Sequence, residues 1–232
     1  MTVTAILVDG AYYLKRYRWT YGQNHSPQQV AKNLFTMCIE HLDHKNELYR
    51  ILFYDCPPLS KKAHNPVSGK SVDFAKTETF VFRTRLHKEL VKLRKVALRR
   101  GRLSDGSRGW IIRSRPTKQL LNGVIASSDL TESDVEYDVS QKGVDMKIGL
   151  DIASLAHKRL VGRIVLVAGD ADFVPAAKFA RREGIDVVLD PMWQAISPDL
   201  QEHIDGLRSV CPRPIPKKNN TTKSERPVEQ KT

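Results

Sequence analysis

Cysteine is scarce in this chain: three among 232 residues, Cys38, Cys56 and Cys211, with no CxxC pair. That argues against a disulfide framework and a thiolate zinc site, and fits a reducing cytoplasm. Long hydrophobic runs are missing too. None approaches the roughly 18 residues of a membrane helix, and the apolar stretch before Asp9 is too short for a signal peptide. Acidic residues are the third shortage, 26 against 38 Lys and Arg, a formal charge of +12. Solubility alone does not require such an excess; it favours a polyanionic partner. Internal repeats are absent. What remains is ordinary globular usage, 41% hydrophobic and 28% charged, enough for one sizeable α/β domain.

Four short aliphatic runs stand out: Val3–Val8, Arg50–Tyr54, Arg163–Ala168 and Ile185–Leu189. Each is followed at once by an aspartate, or by a glycine and then an aspartate. Runs of this kind read as strands buried on both faces, and helical stretches lie between them, which is the alternation of a parallel, helix-covered sheet. Helices are predicted over about 26–43, with Pro27 at N1, over about 144–159, and over about 173–182, with Gly184 as a C-terminal stop. Leu86, Leu90, Leu93 and Ala97 predict a one-faced helix over about 84–96.

Residues 57–141 follow a different pattern and read as a basic insertion. The stretch from Arg83 to Lys118 holds 13 Lys and Arg against two acids. Within it, 96–103 and 110–113 look like two short strands forming a hairpin across 104–109. The expected domain spans 1–211; the tail, 212–232, rich in Pro, Lys, Asn and Thr, reads as disordered.

In an open parallel sheet the carboxyl ends of the strands line one edge, where ligands bind. Asp9 and Asp170 follow strands directly, Asp172 lies two residues beyond Asp170, and Asp145 opens a helix, whose N-terminus favours negative charge. Carboxylates gathered in this way repel one another unless a cation neutralises them. Mg²⁺ or Mn²⁺, hard ions with oxygen ligands, suit such a set and assist phosphodiester hydrolysis. A lone aspartate after a strand is also a common turn former or helix cap, and Asp55 and Asp190, each followed by or close to proline, are read as structural. Asp151 lies about 240° round the helix from Asp145, as suited to a buried polar role as to metal.

The motifs Ile6-Leu-Val-Asp-Gly10, Phe53-Tyr-Asp-Cys-Pro-Pro58, Arg99-Arg-Gly-Arg-Leu103, Lys142-Gly-Val-Asp145 and Val165-Leu-Val-Ala-Gly-Asp-Ala-Asp-Phe173 resemble, in that order, NYN-domain proteins of the PIN-like nuclease superfamily, particularly the bacterial LabA-like group. The resemblance implies an α/β/α sandwich with a central, mainly parallel sheet. It also implies a metal-dependent ribonuclease whose acidic site falls on Asp9, Asp145, Asp170 and Asp172, with Asp151 as a further candidate ligand. Many members carry Asp-Gly-x-Asn in the first motif, whereas Tyr12 stands here.

RNA, or DNA, would then be gripped by phosphate contacts from Lys15, Arg16 and Arg18, from Arg94, Lys95, Arg99, Arg100 and Arg102, and from Lys142. Tyr12, Tyr13, Tyr17, Trp19 and Tyr21 interleave with these first cations, a composition that can stack bases or simply line a core. Two alternatives stay open: an RNA-binding module that does not cut, and a Toprim-like enzyme using Asp170 and Asp172. Neither substrate preference nor a homodimer is readable from the sequence.

Overall fold

The computed structural model describes residues 1–104 and 109–214. Residues 105–108, within the span expected to join the hairpin, and residues 215–232, most of the segment expected to be disordered, lie outside the described residues. The strands are β1 (Thr2–Asp9), β2 (Asn46–Asp55), β3 (Lys62–His64), β4 (Ser71–Asp73), β5 (Val96–Arg100), β6 (Arg102–Ser104), β7 (Trp110–Ile112), β8 (Val135–Tyr137), β9 (Ser140–Lys142), β10 (Arg163–Val167), β11 (Asp186–Asp190) and β12 (Gly206–Leu207). The helices are α1 (Gly10–Thr20), α2 (Pro27–Glu40), α3 (Glu78–Leu90), α4 (Ser114–Leu121), α5 (Val144–His157), α6 (Val174–Arg182) and α7 (Pro198–Glu202).

Six strands form one sheet in the order β12-β11-β10-β1-β2-β5, and every pairing in it is parallel. Alternation along β1 explains its unbroken apolar sequence. Ile6 and Val8 pack with Tyr13, Leu34 and Leu86 from α1, α2 and α3. Ala5 and Leu7 pack on the other face with Ile148, Ile152 and Ala177 from α5 and α6. All four β1 residues are fully buried, and large aliphatic side chains so placed contribute about 1.5–3 kcal/mol each. The result is the α/β/α sandwich expected from the sequence.

Chain direction creates the site. From β1 the chain moves through α1 and α2 to β2 on one side, while β10 lies on the other side and is followed by α6 on the opposite face. The carboxyl ends of β1 and β10 therefore flank a topological switch point, where a crevice opens in sheets of this type.

Residues 57–141 depart from the expected insertion. α3 and β5 belong to the sandwich itself, β5 as the sixth strand of the sheet. α3 begins earlier and ends earlier than the predicted 84–96, because Thr77 caps its start by accepting from Phe80 N and Lys95 turns left-handed, φ 63°, to enter β5. The two strand-like runs do not pair with each other: β6 pairs with β9 and β7 with β8, both antiparallel. Gly101 makes the divergence possible, since a Cβ there would lie 2.8 Å from Val144 Cγ2 and 2.9 Å from both Cys56 Sγ and the Lys142 carbonyl. The β6–β9 ribbon leaves the sheet at its carboxyl edge and runs directly into α5.

Candidate active site

Asp9 ends β1 and caps α1. Its Oδ1 accepts from Ala11 N at 3.0 Å and Tyr12 N at 3.1 Å, while Oδ2 has no hydrogen-bond partner among the described residues. Asp170 repeats the device after β10, with Oδ1 accepting from Asp172 N at 3.1 Å. Capping and ligand binding are thus compatible in both residues, each of which has one carboxylate oxygen without a hydrogen-bond partner among the described residues. Asp172 does not cap α6; that position falls to Phe173, which has no capping side chain. Asp145 occupies the first turn of α5, after Gly143 in a left-handed conformation, φ 78°.

Electrostatics tie the four together. Burial, reinforced by the charges of Asp145 and Asp55 and only partly offset by the two amide hydrogen bonds, pushes the Asp9 carboxyl up to about 6. Asp145 is also raised, by desolvation first and then by Asp170 and Asp172, so Asp145 shares a field with each of the other three. None of the four makes an ion pair among the described residues. Neighbouring aspartates contrast sharply with them. Asp55, fully buried, meets Arg83 at 2.7 Å and His87 at 2.8 Å. Asp190, also fully buried, meets His41 at 2.9 Å. Asp151 is held by Arg99 at 3.0 Å and by the Tyr54 hydroxyl at 2.8 Å, beside a cavity of about 350 Å³ between α5 and the β2–β5 edge.

The candidate cations divide between locations. Arg100, Arg102 and Lys142 stand exposed at the carboxyl edge, without acidic partners among the described residues, and Arg102 faces Lys142 across the β6–β9 ribbon. Arg94 and Lys95 precede β5 and so lie at the opposite edge of the sheet, where Lys95 Nζ donates to the Leu48 carbonyl. Lys15 and Arg18 are exposed on α1, about 9 and 13 Å of helix rise from Asp9. Arg16 gives Nε and Nη2 to the Met192 carbonyl, at 3.2 and 2.7 Å, and Arg99 is engaged by Asp151. The aromatic row is largely core: Tyr13 and Tyr17 are buried, and Tyr17 stacks on Tyr21 with centroids 4.6 Å apart.

Tyr12 sits at the centre of this edge. A Cβ on Gly169 would lie 2.6 Å from its ring, and its hydroxyl donates to the Pro191 carbonyl at 2.6 Å. It therefore joins the exits of β1, β10 and β11. Beyond Pro191, Met192 and Trp193 adopt φ 45° and 64°, conformations that cost a non-glycine residue about 1–3 kcal/mol. In the sequence the only trace of this loop is a tryptophan three residues beyond a strand-ending aspartate.

Among the described residues the tightest grouping of potential metal ligands is elsewhere, at Asp199, Glu202 and His203, with ligand atoms within 4.8 Å of one another. Positions i, i+3 and i+4 on any helix bring side chains this close. No three of Asp9, Asp145, Asp170 and Asp172 bring their ligand atoms as close as that, a spacing compatible with an ion that keeps several waters.

The sequence profile of the NYN domain matches residues 85–210, more than half of the chain. The chain belongs to the NYN-domain family. The NYN match takes in Asp145, Asp170 and Asp172 but begins after β1 and β2, although β1 lies between β2 and β10 in the sheet. It leaves the Toprim-like alternative without support. Among solved structures, a protein of unknown function from Vibrio parahaemolyticus is similar at 17% identity and a TM-score of 0.47, covering 90% of this chain and 93% of that chain. No curated protein matches. Among the described residues no helix is long and apolar enough to cross a membrane.

The raised Asp9 carboxyl has a direct consequence for stability. Because its folded pKa lies above the ordinary 3.8, the folded state binds more protons than the unfolded chain between these values. Stability from this group is lost as pH rises from about 4 to about 6. Asp9→Asn keeps the Oδ1 acceptor and removes the charge. With chelator present, the variant is expected to match wild type near pH 4 and to exceed it by about 2–3 kcal/mol at pH 7. Thermal melts across that range check this; a constant difference would refute it.

Proposed function

We propose that this NYN protein is a Mg²⁺- or Mn²⁺-dependent endoribonuclease. One observation carries the proposal: at one sheet edge, Asp9, Asp145, Asp170 and Asp172 have no cationic partner among the described residues, whereas Asp55, Asp151 and Asp190 each have one. Holding Asp9 and Asp145 against the neighbouring carboxylates costs folding free energy that a bound divalent cation would offset. The Oδ2 atoms of Asp9 and Asp170, with Asp145 and Asp172, would hold it. When bound, the ion would lower the cost of the negative charge that develops on a phosphodiester attacked by water. Arg100, Arg102 and Lys142 would grip flanking phosphates without reading sequence, and the bias toward RNA rests on the family resemblance.

Labelled single-stranded RNA incubated with Mn²⁺ tests the proposal. Wild type is expected to cleave and Asp170→Asn to be inactive; equal cleavage by both would sink it. Tyr12 favours a second reading, since its ring packs on Gly169 and its hydroxyl is spent on Pro191, closing space between the Asp9 and Asp170 turns. On that reading the protein binds RNA without cutting it. RNA affinity unchanged in Asp170→Asn, with no cleavage under any divalent metal, would support this alternative.

A further inference from the structure

The loop after β11 is held more firmly than a connection requires. Asp190 Oδ1 accepts from Met192 N at 2.7 Å, while its Oδ2 meets His41. Tyr12 donates to the Pro191 carbonyl and Arg16 to that of Met192. Trp193 is fixed at both ends: its backbone N–H donates to Ser209 Oγ at 2.9 Å and its indole Nε1–H to the Cys211 carbonyl at 2.7 Å. The Arg213 guanidinium lies over the ring, 5.4 Å from its centroid. Even so, 43% of Trp193 is exposed. Two consecutive non-glycine residues, Met192 and Trp193, adopt positive φ here, and the second leaves a large aromatic side chain partly in solvent.

A purely structural tryptophan would gain more by burying its ring. The presentation makes sense at this location, because β11 neighbours β10 at the strand spacing of about 4.8 Å, so the loop adjoins the turn carrying Asp170 and Asp172. Tyr12 links the two directly, touching Gly169 with its ring and Pro191 with its hydroxyl. With the Arg213 guanidinium over one face, a base would stack on the opposite face of the partly exposed indole while the cation holds the adjoining phosphate.

We infer that Trp193, with Arg213 beside it, is a nucleobase-stacking subsite that selects single-stranded over duplex nucleic acid. The inference rests on the proposed action on nucleic acid and specifies the form of the substrate. Stacking is indifferent to the sugar, so RNA and DNA single strands both engage the indole, and discrimination between them lies elsewhere.

The full chain, in chelator, is titrated with a single-stranded RNA oligonucleotide, its DNA counterpart, the RNA duplex and an abasic strand of equal length. Affinity is read by anisotropy and stacking by tryptophan fluorescence. Wild type is expected to show quenching with both base-bearing single strands but not with the abasic strand or the duplex. Trp193→Phe should lose that quenching while keeping most of the affinity. Trp193→Ala should bind base-bearing single strands about tenfold more weakly and the abasic strand as wild type does. If the chain binds RNA but Trp193→Ala weakens all four ligands equally or none, the subsite is refuted and the functional proposal stands. If wild type binds none of them and cleaves no RNA, both fall together.

Discussion

Asp145→Asn is expected to reduce the proposed RNA cleavage by about a hundredfold or more while leaving the fold intact. Asp145 is the hub of the acidic set, in the field of Asp9, Asp170 and Asp172 alike. It is also an exposed residue in the first turn of α5. Asparagine removes a favourable interaction of about 0.3–1 kcal/mol with the helix N-terminus and at the same time relieves repulsion from three carboxylates. Thermal stability in chelator should therefore change little. Asp151→Asn is the matched control: that carboxylate is engaged by Arg99 and Tyr54, so the variant should largely retain cleavage. Measuring both rates and both melting temperatures separates a role in chemistry from one in folding. Retained cleavage in Asp145→Asn would remove the residue from the site.

Asp55→Ala should have the opposite profile, a loss of about 3–5 kcal/mol of stability. The Asp55 carboxylate is fully buried, receives Cys56 N at 2.9 Å, and is the acceptor for both Arg83 and His87. Removing it leaves three donors, Cys56 N, Arg83 and His87, without their acceptor, and a buried cation without its partner is far more costly than an exposed one. Urea unfolding gives the difference directly, and a loss below about 1 kcal/mol would show that the pairing contributes little. Asp55→Asn, which keeps the shape and one acceptor oxygen, should fall between wild type and alanine.

These two aspartates, one exposed and unpaired, one buried and paired, show how far the sequence could be read. The parallel sheet was legible because strands buried on both faces are apolar without interruption, as in Ala5–Val8 and Ile164–Val167. Ser26, Pro27 and Gly184 marked helix ends through local backbone preferences that need no tertiary context. Asp55 and Asp190 end strands as Asp9 does, and in the sequence only the prolines after them and the family motifs set them apart from Asp9, Asp145, Asp170 and Asp172. Their partners left no such mark. Arg83 and His87 lie 28 and 32 residues from Asp55, and no local pattern announces that α3 will carry them to it. Residues 57–141 were hardest for the same reason. β6 and β9 are three residues each, too short for an alternation to register, and their pairing is set by where β5 and α5 stand. Arg94 and Arg100, six residues apart in one basic run, end at opposite edges of the sheet because β5 runs between them.

The strand order has a consequence for synthesis. β1, made first, pairs with β2 through Ile6 and Ile51 but also with β10 through Ala5 and Ile164. At about 5–20 residues per second, on the order of ten to thirty seconds separate the emergence of Asp9 from that of Asp172. Throughout that interval the nascent chain holds a strand with one side unpartnered and an acidic set that is incomplete. A truncated product ending before β10 would lack both the pairing and two of the four carboxylates. Any nuclease activity therefore switches on only as the last third of the chain is made.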